Sequence, residues 1–184
     1  MASGSLILRG RVRAVLGDDI DTDLIYPGRY LNITDREKTA EHLFELVYPD
    51  LRPALQPGEF LVAGKNFGCG SSREQAAAAL KFAGVGAVLA ASFARIFYRN
   101  AINLGLPAVV APRALGECAA GDELELDLVA GEIRNLTRQS AVPAAPLDPR
   151  AVELLAEGGL IGYLKRKYAA AAADAAARAA AGGK

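Results

Sequence analysis

The chain has 184 residues and 52% hydrophobic content, enough to bury the core of one domain and short for two. Lysine and arginine balance aspartate and glutamate at 21 each, so the basic footprint of a nucleic-acid binder and the polybasic patch of a membrane-surface protein are both missing. No apolar run approaches the roughly 18 to 20 residues of a membrane span, and MASGSLILRGRVR at the start has no long apolar core or processing site, so a cytoplasmic location is expected.

Leu6 to Leu16 alternates apolar residues with Arg9, Arg11 and Arg13, the pattern of a first strand exposed on one face. The stretch GDDIDTDLIYPGRYL follows, residues 17–31. Asp19, Asp21 and Asp23 mimic the opening of a calcium-binding EF-hand, but Leu24 stands where its glycine belongs and Tyr30 where its bidentate glutamate belongs. Asp18 and Asp19 are read as turn-forming residues. Thr34 and Glu37 form a capping-box pattern, from which a helix of about 12 to 14 residues is expected to end near Tyr48-Pro49. His42, the single histidine, falls in that helical pattern and is read as a surface residue, so no Ser–His–Asp triad is built on it. Residues 50–58, DLRPALQPG, read as a connector.

The segment Phe60–Leu80, FLVAGKNFGCGSSREQAAAAL, organises the chain. Its apolar start predicts a buried strand, Gly68-Cys69-Gly70 a turn, and the run from Ser71 to Leu80 a helix. A strand that hands directly into a helix points unpaired N–H groups and the positive end of the dipole at one spot, where Ser71, Ser72 and Arg73 add two hydroxyls and a cation. The target is a carboxylate or a phosphate. Simple capping by the serines is the plain alternative. A dinucleotide loop lacks its third glycine here, and no GxxxxGK[ST] occurs.

Beyond Gly84 and Gly86, VLAAS predicts a second buried strand, FARIFYRNAINL at 93–104 a helix, and PAVVAP a third strand, giving parallel order. Ile96, Phe97, Ala101 and Leu104 are assigned to packing; of the basic pair Arg95 and Arg99, Arg95 is the one expected to support a site. Residues 122–133 predict a hairpin through VAG with its polar side outward, and 150–157 a helix stopped by Gly158-Gly159. The alanine-rich run from Ala169 has few large apolar groups and is expected to fray. Two cysteines, Cys69 and Cys118, without CxxC spacing support neither a disulfide framework nor zinc, and an iron–sulfur cluster needs about four ligands.

Asn66-Phe67 with GCGSSRE resembles the corresponding loop of the small subunits of the aconitase superfamily. The pattern DxDTDxIxPxRYL at 19–31 resembles their N-terminal loop, and ASFARIFYRNAINLGLP a third shared stretch. The resemblance runs over residues 6–167. It implies an α/β fold, the swivelling β/β/α domain with a mixed sheet and crossover helices, over residues 1–168, with 169–184 as a tail. It further implies dehydration and rehydration of a small hydroxy-dicarboxylic acid, no cofactor in this chain, and a large-subunit partner, in a heterodimer or heterotetramer, that carries a [4Fe–4S] cluster. By motif position Ser71 is the base, Arg73 and Arg29 clamp substrate carboxylates, Ser72 adds hydrogen bonds, and Asp23 orients a neighbouring group.

In such relatives the loop matched by Leu31, Asn32 and Ile33 faces the variable arm of the substrate. Its apolar and neutral character here favours isopropylmalate over homoaconitate, with dimethylmalate also open, provided Arg36 points to solvent. One departure is Gln75, where many relatives have histidine. A stand-alone anion-binding module is the alternative of a different class.

Overall fold

The structure, a computed structural model, describes residues 6–181. Strand β1 (Ile7–Val15) leads through a short helix α1 (Thr22–Ile25) and a 3-10 turn at Gly28–Tyr30 to α2 (Arg36–Glu41) and α3 (Leu51–Ala54). Then follow β2 (Phe60–Ala63), α4 (Glu74–Phe82), β3 (Ala87–Ala90), α5 (Arg95–Asn103), β4 (Ala108–Val110) and α6 (Ala114–Glu117). Three strands β5 (Glu123–Asp127), β6 (Glu132–Asn135) and β7 (Ser140–Pro143) precede α7 (Pro149–Ala156) and α8 (Leu160–Ala181).

One seven-stranded sheet has the order β4-β3-β2-β1-β5-β6-β7. From β4 to β1 the pairing is parallel and from β1 to β7 antiparallel, so β1 is the strand shared by two halves. Every residue of β2 and β3 is buried, as expected for parallel strands with helices on both faces. Because side chains alternate along a strand, Leu61, Ala63, Val88 and Ala90 enter one apolar cluster and Phe60, Val62, Ala87 and Leu89 the other.

Four expectations need correction. The 34–48 helix is only the six residues of α2: Asp35, not Thr34, is its N-cap, its side chain accepting from the Lys38 amide at 2.9 Å, and turns follow from His42. Phe44 explains the early stop, because its backbone adopts φ 56° to bury its side chain completely in the core. The connector at 50–58 contains α3, and a third antiparallel strand, β7, follows the predicted hairpin. In that hairpin, Glu125 does not face solvent freely. It is 7% exposed and lies between Arg9 and Arg134, at 2.6 and 3.0 Å.

Arg13 and Glu59 form a two-bond charged contact in the parallel half. Arg13 sits where the β1–β2 register shifts, and it donates from Nε and Nη2 to the two oxygens of Glu59, each at 2.7 Å. Burial works against ionisation of Glu59, but these bonds and the Gln56 amide, at 2.8 Å, outweigh it and hold the carboxyl below its ordinary value. A carboxyl with a depressed folded-state pKa contributes stability above its unfolded value, about 4.3, and that contribution disappears as pH falls through the lower folded value. Glu59→Gln should therefore cost about 1 to 2 kcal/mol at pH 7. Urea midpoints of the two proteins should converge as pH falls below the ordinary carboxylate range, and parallel curves at all pH values would refute this.

Candidate functional site

The parallel strands end together, and their following loops stay paired. After β1, the Asp19 amide bonds to Lys65 O at 2.8 Å, the Gly68 amide to Ile20 O at 2.7 Å and the Thr22 amide to Cys69 O at 2.9 Å. On the other side the Phe67 amide bonds to Ser92 O at 3.0 Å and the Ala94 amide to Phe67 O at 2.9 Å. The loop at 64–73 is thus stitched between the loops after β1 and β3. This is the carboxyl end of a parallel sheet, where α/β folds bind their ligands.

Local chemistry makes these turns possible. Asn66 and Asp19 both adopt positive φ, 58° and 54°, and they are joined by a 2.8 Å bond from Asn66 Nδ2 to Asp19 Oδ1. Asn and Asp tolerate that region better than other residues with side chains. Gly68 has φ +76°, and a methyl group there would come within 2.1 Å of the Phe97 ring. Phe97 is 2% exposed and packs edge-on to Phe67 at 5.2 Å, so it cannot yield.

Above this floor lies a recess of about 210 Å³ whose lining includes Thr22, Ser71, Ser72, Arg73, Arg95 and Ile96. The structure therefore brings together Ser71, Ser72 and Arg73, and adds Arg95 but not Arg99. Helix α4 starts at Glu74, later than expected, so neither serine lies inside it or caps it; the N-cap is Arg73. At the starts of α4 and α5 the N-caps, Arg73 and Ala94, both line the recess, and neither makes a side-chain capping bond. Two nine-residue helices thus direct uncapped N–H groups and positive dipole ends toward one spot, beside two guanidinium groups. Such a spot favours a carboxylate or phosphate.

Asp23 pairs with Arg73 and also accepts from the Gly28 amide at 3.1 Å. Thr22, 1% exposed, was missed as a support: its hydroxyl donates to the Ser71 carbonyl at 3.0 Å. The signal was present in its place between two aspartates of a motif. Arg29 is not among the residues lining the recess; it pairs with Glu45. Leu31 packs against the core and Asn32 is exposed. Ile33 lines a second, shallower recess of about 250 Å³ with Gln75, Ala78 and Phe82. Arg36 is exposed, and its guanidinium lies 5.2 Å from the centre of the Phe82 ring.

A larger groove, about 480 Å³, lies elsewhere, beside Lys81, Asn103 and Ile161, and its lining contains none of the residues assigned to the site. Its chemistry is poorer, since Lys81 is tied to Gly105 O at 2.7 Å and burial lowers its pKa. Among the described residues, no three His, Cys, Asp or Glu side chains are grouped to hold a metal ion. Burial raises the Cys69 thiol, and Asp21 and Asp19 raise it further; burial pushes Cys118 up to about 11. Neither is an activated thiolate. No helix among the described residues is long and apolar enough to cross a membrane.

Residues 4–114 match the family described as the aconitase C-terminal domain. The 3-isopropylmalate dehydratase small subunit of Moorella thermoacetica is 54% identical over 88% of this chain and 97% of its own length. The methanogen homoaconitase small subunit of Methanothermobacter thermautotrophicus is 49% identical over 86% and 92%. The crystal structure of 3-isopropylmalate dehydratase from Methanocaldococcus jannaschii superposes with a TM-score of 0.85 at 42% identity, covering 92% of this chain and 99% of that one.

Gly68→Ala should cost about 2 kcal/mol or more, because a clash with a trapped ring adds to backbone strain, whereas Gly70→Ala meets its nearest atom, Thr22 Oγ1, only at 3.4 Å and should cost about 1 kcal/mol for its positive φ. Denaturant midpoints of the two variants check that order.

Proposed function

The chain belongs to the aconitase C-terminal domain family, and we propose that it is the small subunit of a hydro-lyase of the 3-isopropylmalate dehydratase type, interconverting 2- and 3-isopropylmalate for leucine biosynthesis. The observation that carries this reading is the recess where Ser71, Ser72, Arg73 and Arg95 meet two uncapped helix starts, in a chain alike over 88% of its length to such a subunit. The partner is a large subunit, in a heterodimer or heterotetramer. The two cysteines of this chain stand in different surroundings, Cys69 in the site loop and Cys118 in the apolar cluster of the opposite face, and do not fit a [4Fe–4S] cluster. In this reading the cluster is carried by the large subunit.

The reaction removes a proton from the carbon next to a carboxylate and expels a hydroxyl. Arg73 grips a substrate carboxylate with its planar fork while Asp23 keeps that fork oriented. Ser71 Oγ takes the proton. A serine hydroxyl is a poor base, so the site must stabilise its alkoxide; Arg73, Arg95 and the two helix starts supply positive potential for that purpose. Thr22 holds the Ser71 peptide in place, and Ser72 offers a further hydrogen bond. Arg29, outside the recess lining, is assigned to a second carboxylate.

The loop Leu31–Ile33 is assigned to the substrate's variable arm. It offers no cation, and Arg36 is engaged over Phe82, which supports an alkyl arm. Burying a distal carboxylate there would cost several kcal/mol, whereas each buried CH2 gains about 0.8 kcal/mol. Gln75, which lines a recess with Ile33, stands where many relatives have histidine, and in this reading the departure falls on the arm side of the site.

The isolated chain should show no turnover, and activity should appear on adding its large subunit. In that assembly Arg73→Lys should lose about 2 kcal/mol or more in kcat/KM, and Ser71→Ala should abolish kcat while substrate still binds. Near-normal kcat/KM for the lysine variant would refute the clamp. Comparing isopropylmalate, dimethylmalate and homoaconitate tests the arm: equal or higher kcat/KM for homoaconitate would overturn the loop assignment and favour the homoaconitase-like reading.

A further inference from the structure

Arg29, Tyr30, His42 and Glu45 form a side-chain cluster of which the proposed chemistry uses only Arg29. Glu45 sits in the turn after α2, with its side chain 30% exposed. Its Oε1 accepts from the Tyr30 hydroxyl at 3.0 Å and from Arg29 Nη2, and its Oε2 meets His42 Nδ1 at 2.7 Å. Tyr30 stacks on His42 with ring centres 3.6 Å apart and planes 10° from parallel, and the Arg29 guanidinium lies 4.8 Å from the centre of the Tyr30 ring. The Tyr30 carbonyl is held in turn by the hydroxyl of fully buried Tyr26, at 2.9 Å. The cluster is therefore anchored to the core at one end and ends in an arginine at the other.

Its place relative to Arg73 is what gives it meaning. Gly28 directly precedes Arg29, and a methyl group on Gly28 would lie 3.0 Å from Arg73 Nη1 and 3.2 Å from Asp23 Oδ1. The backbone that carries Arg29 thus runs past the Arg73–Asp23 pair, and two guanidinium groups leave neighbouring points, each with its own carboxylate. Without Glu45 the Arg29 side chain would keep only its contact with the Tyr30 ring, and its exposed fork would lose more conformational entropy on ordering when substrate arrives.

We propose that Glu45, braced by Tyr30 and His42, is a positioning residue that holds Arg29 ready to bind a substrate carboxylate, as Asp23 holds Arg73. This rests on the reading of Arg29 as a clamp. One bond to Glu45 uses only part of the fork, since a guanidinium has five N–H donors, and the remainder stays free to meet a ligand. Burial opposes ionisation of Glu45, but the bonds from His42, Tyr30 and Arg29 outweigh it and keep the carboxyl below its ordinary value, so it stays charged at neutral pH. Ile33, two residues past Leu31, bonds back from its amide to Tyr30 O at 2.9 Å, so the same brace also anchors the base of the arm loop.

The test is a double-mutant cycle in the reconstituted two-subunit enzyme, with Glu45→Gln, Arg29→Lys and the pair. Glu45→Gln removes the charge and keeps the shape. It should raise KM for isopropylmalate about fivefold with kcat within about twofold, the scale expected of a partly exposed ion pair. Added to Arg29→Lys it should have little further effect, because the group it holds is already changed. Independent effects of the two substitutions, or a fall in kcat and melting temperature without a rise in KM, would overturn the proposal in favour of a purely structural role. If Arg29→Lys alone leaves kcat/KM unaltered, the clamp reading falls and this one with it. A second readout needs no activity: in NMR spectra of the isolated chain, rotation of the Arg29 guanidinium should be slowed in the wild type and freed in Glu45→Gln. Equal mobility in both would show that Glu45 holds nothing.

Discussion

Backbone pairing that continues past the ends of the strands is the constraint on which the rest of the site depends. Parallel strands leave N–H and C=O groups at their carboxyl ends that must find partners once the loops turn over the sheet. Here the loops after β1, β2 and β3 satisfy one another, through bonds such as Gly68 to Ile20 and Ala94 to Phe67. Isolated bridges between Asp21 and Cys69 and between Phe67 and Phe93 mark the same alignment. The serines and Arg73 therefore follow directly on a loop whose backbone is paired through Cys69, with the Ser71 carbonyl held by the Thr22 hydroxyl. Catalytic geometry needs such support, since small displacements of a reacting group are costly.

The electrostatics follow from this framework. Two helix starts converge because α4 and α5 each follow a neighbouring parallel strand, and right-handed crossovers put consecutive helices side by side. The recess collects positive potential from both. A carboxylate tempers it, since Asp23 pairs with Arg73, while Glu45 pairs with Arg29 outside the recess lining. Ser71 and Ser72 are exposed in this chain. A partner surface that covers them would lower the local dielectric and strengthen every one of these interactions.

The antiparallel half does a different job. Strands β5 to β7 close one side of β1 and carry charged pairs in place of chemistry: Glu125 between Arg9 and Arg134, and Asp122 bonded to Asn135 at 2.8 Å and Arg138 at 2.6 Å. Asp122 and Asn135 are buried and fully partnered, the condition under which polar groups are tolerated in a core. This half buttresses β1, whose continuation carries Asp21, Thr22 and Asp23 to the site.

Much was legible in the residues themselves. Uninterrupted apolar runs in β2 and β3 required a sheet covered on both faces, and the glycines at 68 and 70 required a turn that only a small residue can make. Ser71, Ser72 and Arg73 are adjacent, so local order alone placed them together. Boundaries set by competing local signals were not legible. The capping pattern at Thr34 lost to Asp35, and a long helix through residues 42–48 lost to the burial of Phe44 in a backbone conformation no helix allows. Likewise, the start of α4 at Glu74 moved both serines off the helix and left its N–H groups uncapped. Contacts between distant segments belonged to the tertiary structure alone: Thr22 on the Ser71 carbonyl, Asp23 on Arg73, and Glu45 on Arg29 lie 49, 50 and 16 residues apart. Spacing in a sequence reports what one helix or strand presents on a face, whereas the partner of a side chain across a turn or between loops is decided by how the sheet brings their ends together.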